Sequence, residues 1–182
     1  SFPLVLFNRL ICSSRIWDTS TGQCLRTLVH ETNPAVTNVC FSPNGRFVLA
    51  FNLDDCIRLW DYVQGSVKKT YQGHKNQSFA VGGCFGTLDG TPFIAAASED
   101  GNIVLWDVKT KDVLQRINGH KGVCFWVDVH GDTMASAGQD NTIRIYRHAR
   151  NTTPATNGEN GEVNGHFDNL PIRQDDVKAE QE

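Results

Sequence analysis

Apolar and polar residues alternate with a period of two along most of the first 148 residues, and turn-forming residues interrupt the alternation. Within residues 35–71 the pattern predicts four short strands separated by a Pro-Asn-Gly turn, an Asp-Asp turn and a Gln-Gly turn. The same order of strands and turns recurs further along the chain. The pattern therefore predicts an all-β protein built from four-stranded antiparallel meanders.

Three segments share one frame, in which an aspartate is followed after five residues by an aromatic residue: DDCIRLWD (54–61), DGNIVLWD (100–107) and DNTIRIYR (140–147). A degenerate copy ends at RIWD (15–18), and the aromatic residues recur at intervals of 43, 46 and 40 residues. A Gly-His pair begins 12 residues after the Asp of two Trp-Asp pairs, at Gly73-His74 and Gly119-His120. Spacing of this kind indicates a repeat protein whose units stack to bury both faces of each sheet.

The Gly-His and Trp-Asp markers resemble those of the WD-repeat family, whose fold is a β-propeller. The resemblance implies a partial propeller, with about three and a half of an expected seven four-stranded blades. We expect the propeller in residues 15–148, an atypical segment in residues 1–14 that is foreign or truncated, and a disordered acidic tail in residues 149–182. On this view the chain is the C-terminal half of a larger ring, and the isolated half self-associates through uncovered sheet surfaces.

The resemblance also implies a buried hydrogen-bond chain in each blade, which joins a histidine, a strand hydroxyl, the turn aspartate and the strand aromatic. This pairing repeats once per blade, which indicates an architectural rather than a catalytic role for the histidines and aspartates. The residues of the three expected chains are His74, Ser98, Asp100 and Trp106; His120, Asp140 and Tyr146; and His30, Asp54 and Trp60.

Composition narrows the possible functions. The formal net charge is -3, and residues 151–182 contain seven acidic residues against Arg173 and Lys178. We therefore expect no direct binding to nucleic acid. The six cysteines include no C-x-x-C pair, which indicates reduced thiols rather than disulfides or a metal site. The sequence has no apolar stretch of membrane-spanning length, no phosphate loop and no nucleophile elbow, so we expect neither a cofactor nor enzymatic activity.

Longer stretches, including IWDTSTGQCLRTL and LWDYVQGSVKKTYQGHKN, resemble the WD-repeat core subunits of COMPASS and MLL-type complexes, which methylate lysine 4 of histone H3. The resemblance covers roughly residues 15–148. It implies a non-catalytic scaffold in the nucleus that binds methyltransferase-complex subunits and the histone H3 tail. The alternative is another WD-repeat adaptor, such as a ubiquitin-ligase substrate receptor or an RNA-processing subunit.

Two peptide sites follow from that resemblance. A side cleft that takes an acidic-hydrophobic segment falls on Asn44, Phe47 and Leu59, although turn formation alone explains Asn44. An arginine-binding channel mouth falls on Phe79, Ala80 and Gly82. Because a stacking phenylalanine of the family corresponds to Gly82, we expect this chain to bind arginine weakly or to bind a different partner.

Overall fold

The computed structural model describes residues 4–8, 11–149 and 166–169. These residues form four antiparallel sheets whose strands follow chain order, which confirms the predicted all-β fold. The first sheet has three strands and the second has four: β1 (Leu4–Asn8), β2 (Ile11–Trp17) and β3 (Cys24–Val29), then β4 (Val36–Phe41), β5 (Phe47–Asn52), β6 (Cys56–Asp61) and β7 (Ser66–Gln72).

The third and fourth sheets repeat the same meander. Their strands are β8 (Gly83–Leu88), β9 (Thr91–Ala97), β10 (Asn102–Asp107) and β11 (Val113–Asn118), then β12 (Cys124–His130), β13 (Thr133–Gly138), β14 (Ile143–Ala149) and β15 (His166–Asn169). The strand that begins each of the second, third and fourth sheets therefore lies at one edge, and the strand that ends the sheet lies at the other edge.

The Pro43-Asn44-Gly45 turn shows why local sequence selects these hairpins. The Asn44 carboxamide oxygen accepts hydrogen bonds from the Ser42 hydroxyl at 2.7 Å and from the Arg46 backbone N–H at 3.1 Å. Gly45 has a φ of 66°, a left-handed conformation that costs glycine little. Side-chain and backbone requirements of the turn are therefore both met by the residues present.

The core consists of three apolar clusters between neighbouring sheets. Strand β9 shows how one strand serves two clusters. Phe93, Ala95 and Ala97 pack towards the fourth sheet, whereas Ile94 and Ala96 pack towards the second. Because successive side chains of a strand point to opposite faces, a continuous apolar run in β9 indicates a sheet that is covered on both sides.

The chain differs from the sequence-based expectation at both ends. Residues 4–8 and 11–17 pair as β1 and β2, with Val5 opposite Ile16, so part of the atypical segment 1–14 belongs to the first sheet. Within the expected disordered tail, residues 166–169 pair with β14 as a fourth strand. The lone aromatic Phe167 gave no strand pattern, and its burial against other sheets is a tertiary effect. The rest of the tail from residue 150 lies outside the described residues.

Candidate functional site

A buried hydrogen-bond network connects the fourth sheet to the segment that precedes it. His120 is 5% exposed, and its Nδ1 lies 2.9 Å from Asp140 Oδ1 while its Nε2 lies 2.7 Å from Ser136 Oγ. The Ser136 hydroxyl lies 3.5 Å from the Tyr146 hydroxyl. A hydrogen bond from the Thr142 hydroxyl, helped by the contacts with Lys121 and His120, holds the pKa of Asp140 well below its usual value. Each of these four side chains therefore has a hydrogen-bond partner within the network, which suits a structural role.

The hydrogen-bond chain expected to start at His74 in the third sheet is not formed. His74 is 3% exposed and lies edge-on to Trp106, with ring centroids 5.7 Å apart. Neither of its ring nitrogens has a hydrogen-bond partner among the described residues. The Trp106 indole N–H donates to the Gln72 carbonyl at 2.9 Å, and the Ser98 hydroxyl accepts from the Lys75 backbone N–H at 2.9 Å. Burial lowers the pKa of His74 to about 4, although nearby carboxylates oppose that shift.

The remaining polar groups of the third sheet have other partners. The Asp100 carboxylate accepts from the Asn102 backbone N–H at 3.2 Å. Burial raises the pKa of Asp100, but hydrogen bonds from Ser98 and Asn102 outweigh burial and lower it overall. The expected chain from His74 to Trp106 is therefore replaced by separate local hydrogen bonds.

The expected chain in the second sheet is also not formed. His30 Nδ1 lies 2.8 Å from the Thr32 hydroxyl, and the imidazole is edge-on to Trp60 with ring centroids 6.5 Å apart. Asp54 instead accepts two hydrogen bonds from Arg58, at 3.0 and 2.5 Å. Arg58 is only 5% exposed, and a buried guanidinium requires a carboxylate partner. Asp54 therefore pairs with Arg58 instead of joining a hydrogen-bond chain with His30.

A cleft of about 480 Å³ opens between the second and third sheets. Asn44, Phe47 and Leu59, the three residues expected there, all line it. Leu59 is 5% exposed and forms part of the floor, while Phe47 is half-buried. The third sheet contributes four further lining residues, namely Phe85, Thr87, Pro92 and Val108.

Three cations surround this cleft, namely Arg46, Lys68 and Lys69. The Arg46 guanidinium lies 5.3 Å from the centre of the Phe47 ring and 3.9 Å from the Asp61 carboxylate. Lys69 Nζ donates to the Val108 carbonyl at 2.9 Å and therefore ties the two sheets together. Lys68 is exposed at the same rim. An apolar floor with a basic rim suits a segment that combines apolar and acidic side chains.

The channel-mouth residues occupy the long connection between His74 and β8. Phe79 is 41% exposed and lies edge-on to Phe125, with ring centroids 6.1 Å apart. Ala80 is exposed, whereas Gly82 is buried and its N–H donates to the Phe125 carbonyl at 2.9 Å. Gly82 comes immediately before β8, which begins at Gly83.

Trp126 occupies the space beside Gly82. A Cβ at Gly82 would lie 2.6 Å from the Trp126 ring and 2.6 Å from Asn38 Nδ2. Trp126 is 48% exposed and belongs to β12 of the fourth sheet. The Trp126 ring of β12 therefore lies beside Gly82, where the family resemblance led us to expect a stacking aromatic side chain from residue 82 itself. Sequence reasoning missed Trp126 because the residue is aligned with neither the family position nor the same repeat.

Burial keeps several cysteine thiols in the described part of the chain in their neutral form. Cys24, Cys40, Cys56, Cys84 and Cys124 have free thiols. Burial raises the pKa of Cys40 to about 12 and that of Cys124 to about 11, so both thiols are neutral near pH 7. Among the described residues no cluster of three metal-binding side chains occurs, and no helix has the length and apolar character that crossing a membrane requires.

Comparison with known proteins gives a consistent result. The family model for the WD domain, G-beta repeat, matches residues 22–61, 65–107 and 111–147. GID complex subunit 7 of Schizosaccharomyces pombe is 31% identical over 139 residues, which are 75% of this chain and 27% of that protein. COMPASS component SWD3 of Saccharomyces cerevisiae is 28% identical over 150 residues, covering 73% of this chain and 48% of that protein. An Arabidopsis thaliana WD repeat-containing protein WDS homolog is 32% identical over 124 residues, covering 65% of this chain and 23% of that protein. The chain thus spans at most about half the length of these relatives.

Proposed function

The chain belongs to the WD-repeat family, and on that premise we propose that it is a non-catalytic scaffold of a histone H3 lysine-4 methyltransferase complex in the nucleus. The observation that carries this proposal is the cleft between the second and third sheets, where Asn44, Phe47 and Leu59 lie together under a basic rim. The similarity to COMPASS component SWD3 supports the choice of complex.

The chemistry of the cleft defines its ligand. Leu59, Phe85 and Pro92 offer an apolar floor on which valine- or leucine-sized side chains lose water. Arg46 and Lys68 stand at the rim, where they favour carboxylates of the bound segment and raise its association rate. The ligand is therefore an extended acidic-hydrophobic segment of another subunit of the complex.

The channel mouth provides the second proposed contact, with an arginine of a histone tail or of a methyltransferase subunit. Phe79 and Trp126 both expose aromatic surface there, on which a guanidinium stacks. Trp126 offsets part of the stacking surface that Gly82 lacks. We accordingly expect weak arginine binding that depends on Trp126.

A second candidate is a scaffold of a GID-type complex, in the role of a ubiquitin-ligase adaptor. The 31% identity to GID complex subunit 7 favours it specifically. The same cleft would then bind a segment from a different set of subunits, outside or inside the nucleus. The two candidates differ in partner, not in fold.

Affinity purification of the full chain with quantitative mass spectrometry distinguishes the candidates. Recovery of a SET-domain methyltransferase supports the first, and recovery of ubiquitin-ligase subunits without a methyltransferase supports the second. The charge-reversal variant R46E/K68E is expected to reduce recovery of the direct partner at least about ten-fold, because both side chains are exposed at the cleft rim.

The matched control is K111E/K121E, which reverses two exposed lysines outside the cleft. It changes the net charge equally and should leave recovery unchanged. Equal recovery by R46E/K68E and the parent chain would rule out the cleft as the partner site.

A further inference from the structure

A turn joins the second and third strands of the second, third and fourth sheets, and one residue in each turn makes the same backbone contact. Its N–H donates, at 2.8 to 3.0 Å, to a carbonyl of the connection that leads into that sheet. The donor and acceptor pairs are Leu53 with Ala35, Glu99 with Lys75, and Gln139 with Val123. These three turn positions are therefore equivalent in the repeat, and their side chains can be compared directly.

The side chains at the three equivalent positions differ in what they bind. Leu53 has no polar side-chain group. Gln139 Oε1 accepts one hydrogen bond, from the Val123 backbone N–H at 3.3 Å. Glu99 Oε1 accepts hydrogen bonds from three successive backbone N–H groups, those of Gln77 at 2.8 Å, Ser78 at 2.6 Å and Phe79 at 2.8 Å. The third sheet therefore has a carboxylate clamp where the neighbouring sheets have an apolar or a neutral side chain.

The chemistry of the clamp explains its strength. Successive backbone N–H groups that converge on one point form a concave site for an anion, and here the anion is the Glu99 carboxylate. Burial raises the pKa of Glu99, but hydrogen bonds from the three backbone N–H groups outweigh burial and lower it overall. The carboxylate is therefore ionised near pH 7, and hydrogen bonds to an ionised acceptor are stronger than those to a neutral one.

The clamp acts on a segment that has no other anchor at its centre. Residues 77–80 are exposed. The chain before them is held through Asn76, which is buried and donates its N–H to the Asp55 carboxylate at 2.6 Å. The chain after them is held at Val81, whose carbonyl lies 3.1 Å from the Thr37 hydroxyl. Since both ends are fixed by the second sheet, Glu99 decides the conformation of the exposed part between them.

We propose that Glu99 is a positioning residue of the channel mouth, which holds segment 77–79 so that Phe79 is presented to a bound arginine. This inference rests on the arginine contact proposed above and adds a requirement outside the binding surface. Phe79 lies edge-on to Phe125, with 41% of its surface exposed for a ligand. A loop that adopts its binding conformation only part of the time lowers the apparent affinity by that fraction. Glu99 keeps the fraction high.

The test uses the isotope-labelled full chain and the peptide GGARAGG, with binding followed by NMR titration. The variant E99A should bind the peptide about ten-fold more weakly, because a binding-competent fraction of about one tenth lowers the apparent affinity by the same factor. The amides of Ser78 and Phe79 should exchange with solvent at least about ten-fold faster in E99A, while the amide of Ile94 in the core stays protected.

Two matched variants separate positioning from charge. E99Q retains an acceptor oxygen at the same place without the charge, so it should bind the peptide within about three-fold of the parent chain. D112A removes an exposed carboxylate from another turn of the third sheet and changes the net charge as E99A does. It should bind with the affinity of the parent chain.

The variant W126A distinguishes failure of this inference from failure of the arginine contact. No binding by the parent chain, or equal binding by the parent chain and W126A, would overturn the arginine contact and the role of Glu99 together. Binding that W126A loses and E99A keeps would overturn the role of Glu99 alone. Weaker binding by E99A with unchanged exchange of the Phe79 amide would show direct attraction between Glu99 and the arginine, which also overturns positioning.

Discussion

The third and fourth sheets contain the same Gly-His marker but use its histidine differently. His120 has hydrogen-bond partners at both ring nitrogens, whereas His74 has none among the described residues. Eight residues separate His74 from the strand that follows it, and three separate His120 from its strand. The longer connection changes which groups face the imidazole, so an identical marker does not guarantee an identical network.

The comparison also separates two energetic roles for one residue type. A buried imidazole with two partners stabilises the fold, because removing it leaves those partners unsatisfied. A buried imidazole without a partner lowers stability relative to an apolar side chain of similar size. His74 is retained in the core by its packing against Trp106 rather than by hydrogen bonding.

Replacing His120 or His74 by leucine should give the largest difference between the two sites in the free energy of unfolding. H120L removes a partner from Asp140 and from Ser136, and we expect it to lower the free energy of unfolding by about 3–4 kcal/mol. H74L should change it by less than about 1 kcal/mol, since loss of the edge contact with Trp106 is offset by removal of an unsatisfied group. Urea denaturation measures both values. Equal destabilisation by the two variants would show that His74 has a hydrogen-bond partner in solution.

The pH dependence of stability should be the next largest effect. The pKa of His74 is about 4 in the folded chain, against 6.5 as its ordinary value. As the pH falls from 6.5 to 4, the unfolded chain binds a proton that the folded chain does not, so the unfolding free energy decreases by at most about 3 kcal/mol. The variant H74L should lack this part of the slope.

Urea titrations at several pH values between 4 and 6.5 check that expectation. A histidine variant outside the core, H130Q, serves as a control because His130 is exposed. An unchanged slope in H74L would mean that His74 becomes protonated in the folded state as readily as in the unfolded state.

A substitution at Gly82, which ends the long connection between His74 and β8, should have a smaller effect on stability. In G82A the new Cβ lies within 2.6 Å of Trp126 and of Asn38, and we expect a loss of about 1–2 kcal/mol. Trp126 is 48% exposed and its removal opens the space, so G82A should cost less in the W126A background. A double-mutant cycle from urea denaturation measures the coupling, expected near 1 kcal/mol. Strict additivity would show that Trp126 does not press on residue 82.

The sequence allowed prediction of the features that depend on local pattern, and these include strands β4 to β14 and the turn at Asn44. The all-β repeat fold and the family are confirmed. Strand β15 could not be predicted, because the four residues around Phe167 form a strand through tertiary contacts, namely pairing with β14 and contacts with Gln115 and Phe93. Hydrogen-bond partners were equally hard to predict, since competitors such as Arg58 capture a carboxylate that the repeat pattern assigns elsewhere.

Substitution of Tyr146 should have the smallest effect on stability. It tests whether the hydrogen-bond network of the fourth sheet extends from Ser136 to the Tyr146 hydroxyl. The Tyr146 hydroxyl lies 3.5 Å from Ser136 Oγ, whereas the indole N–H of Trp106, at the equivalent position of the third sheet, donates to the Gln72 carbonyl at 2.9 Å. Since Ser136 retains His120 as a partner, Y146F should lower the free energy of unfolding by only about 0.5 kcal/mol. Urea denaturation beside the control Y62F, which changes a partly exposed tyrosine, measures this difference. A loss above about 1.5 kcal/mol would place Tyr146 inside the network as an obligatory partner and would widen the contrast between the two sheets.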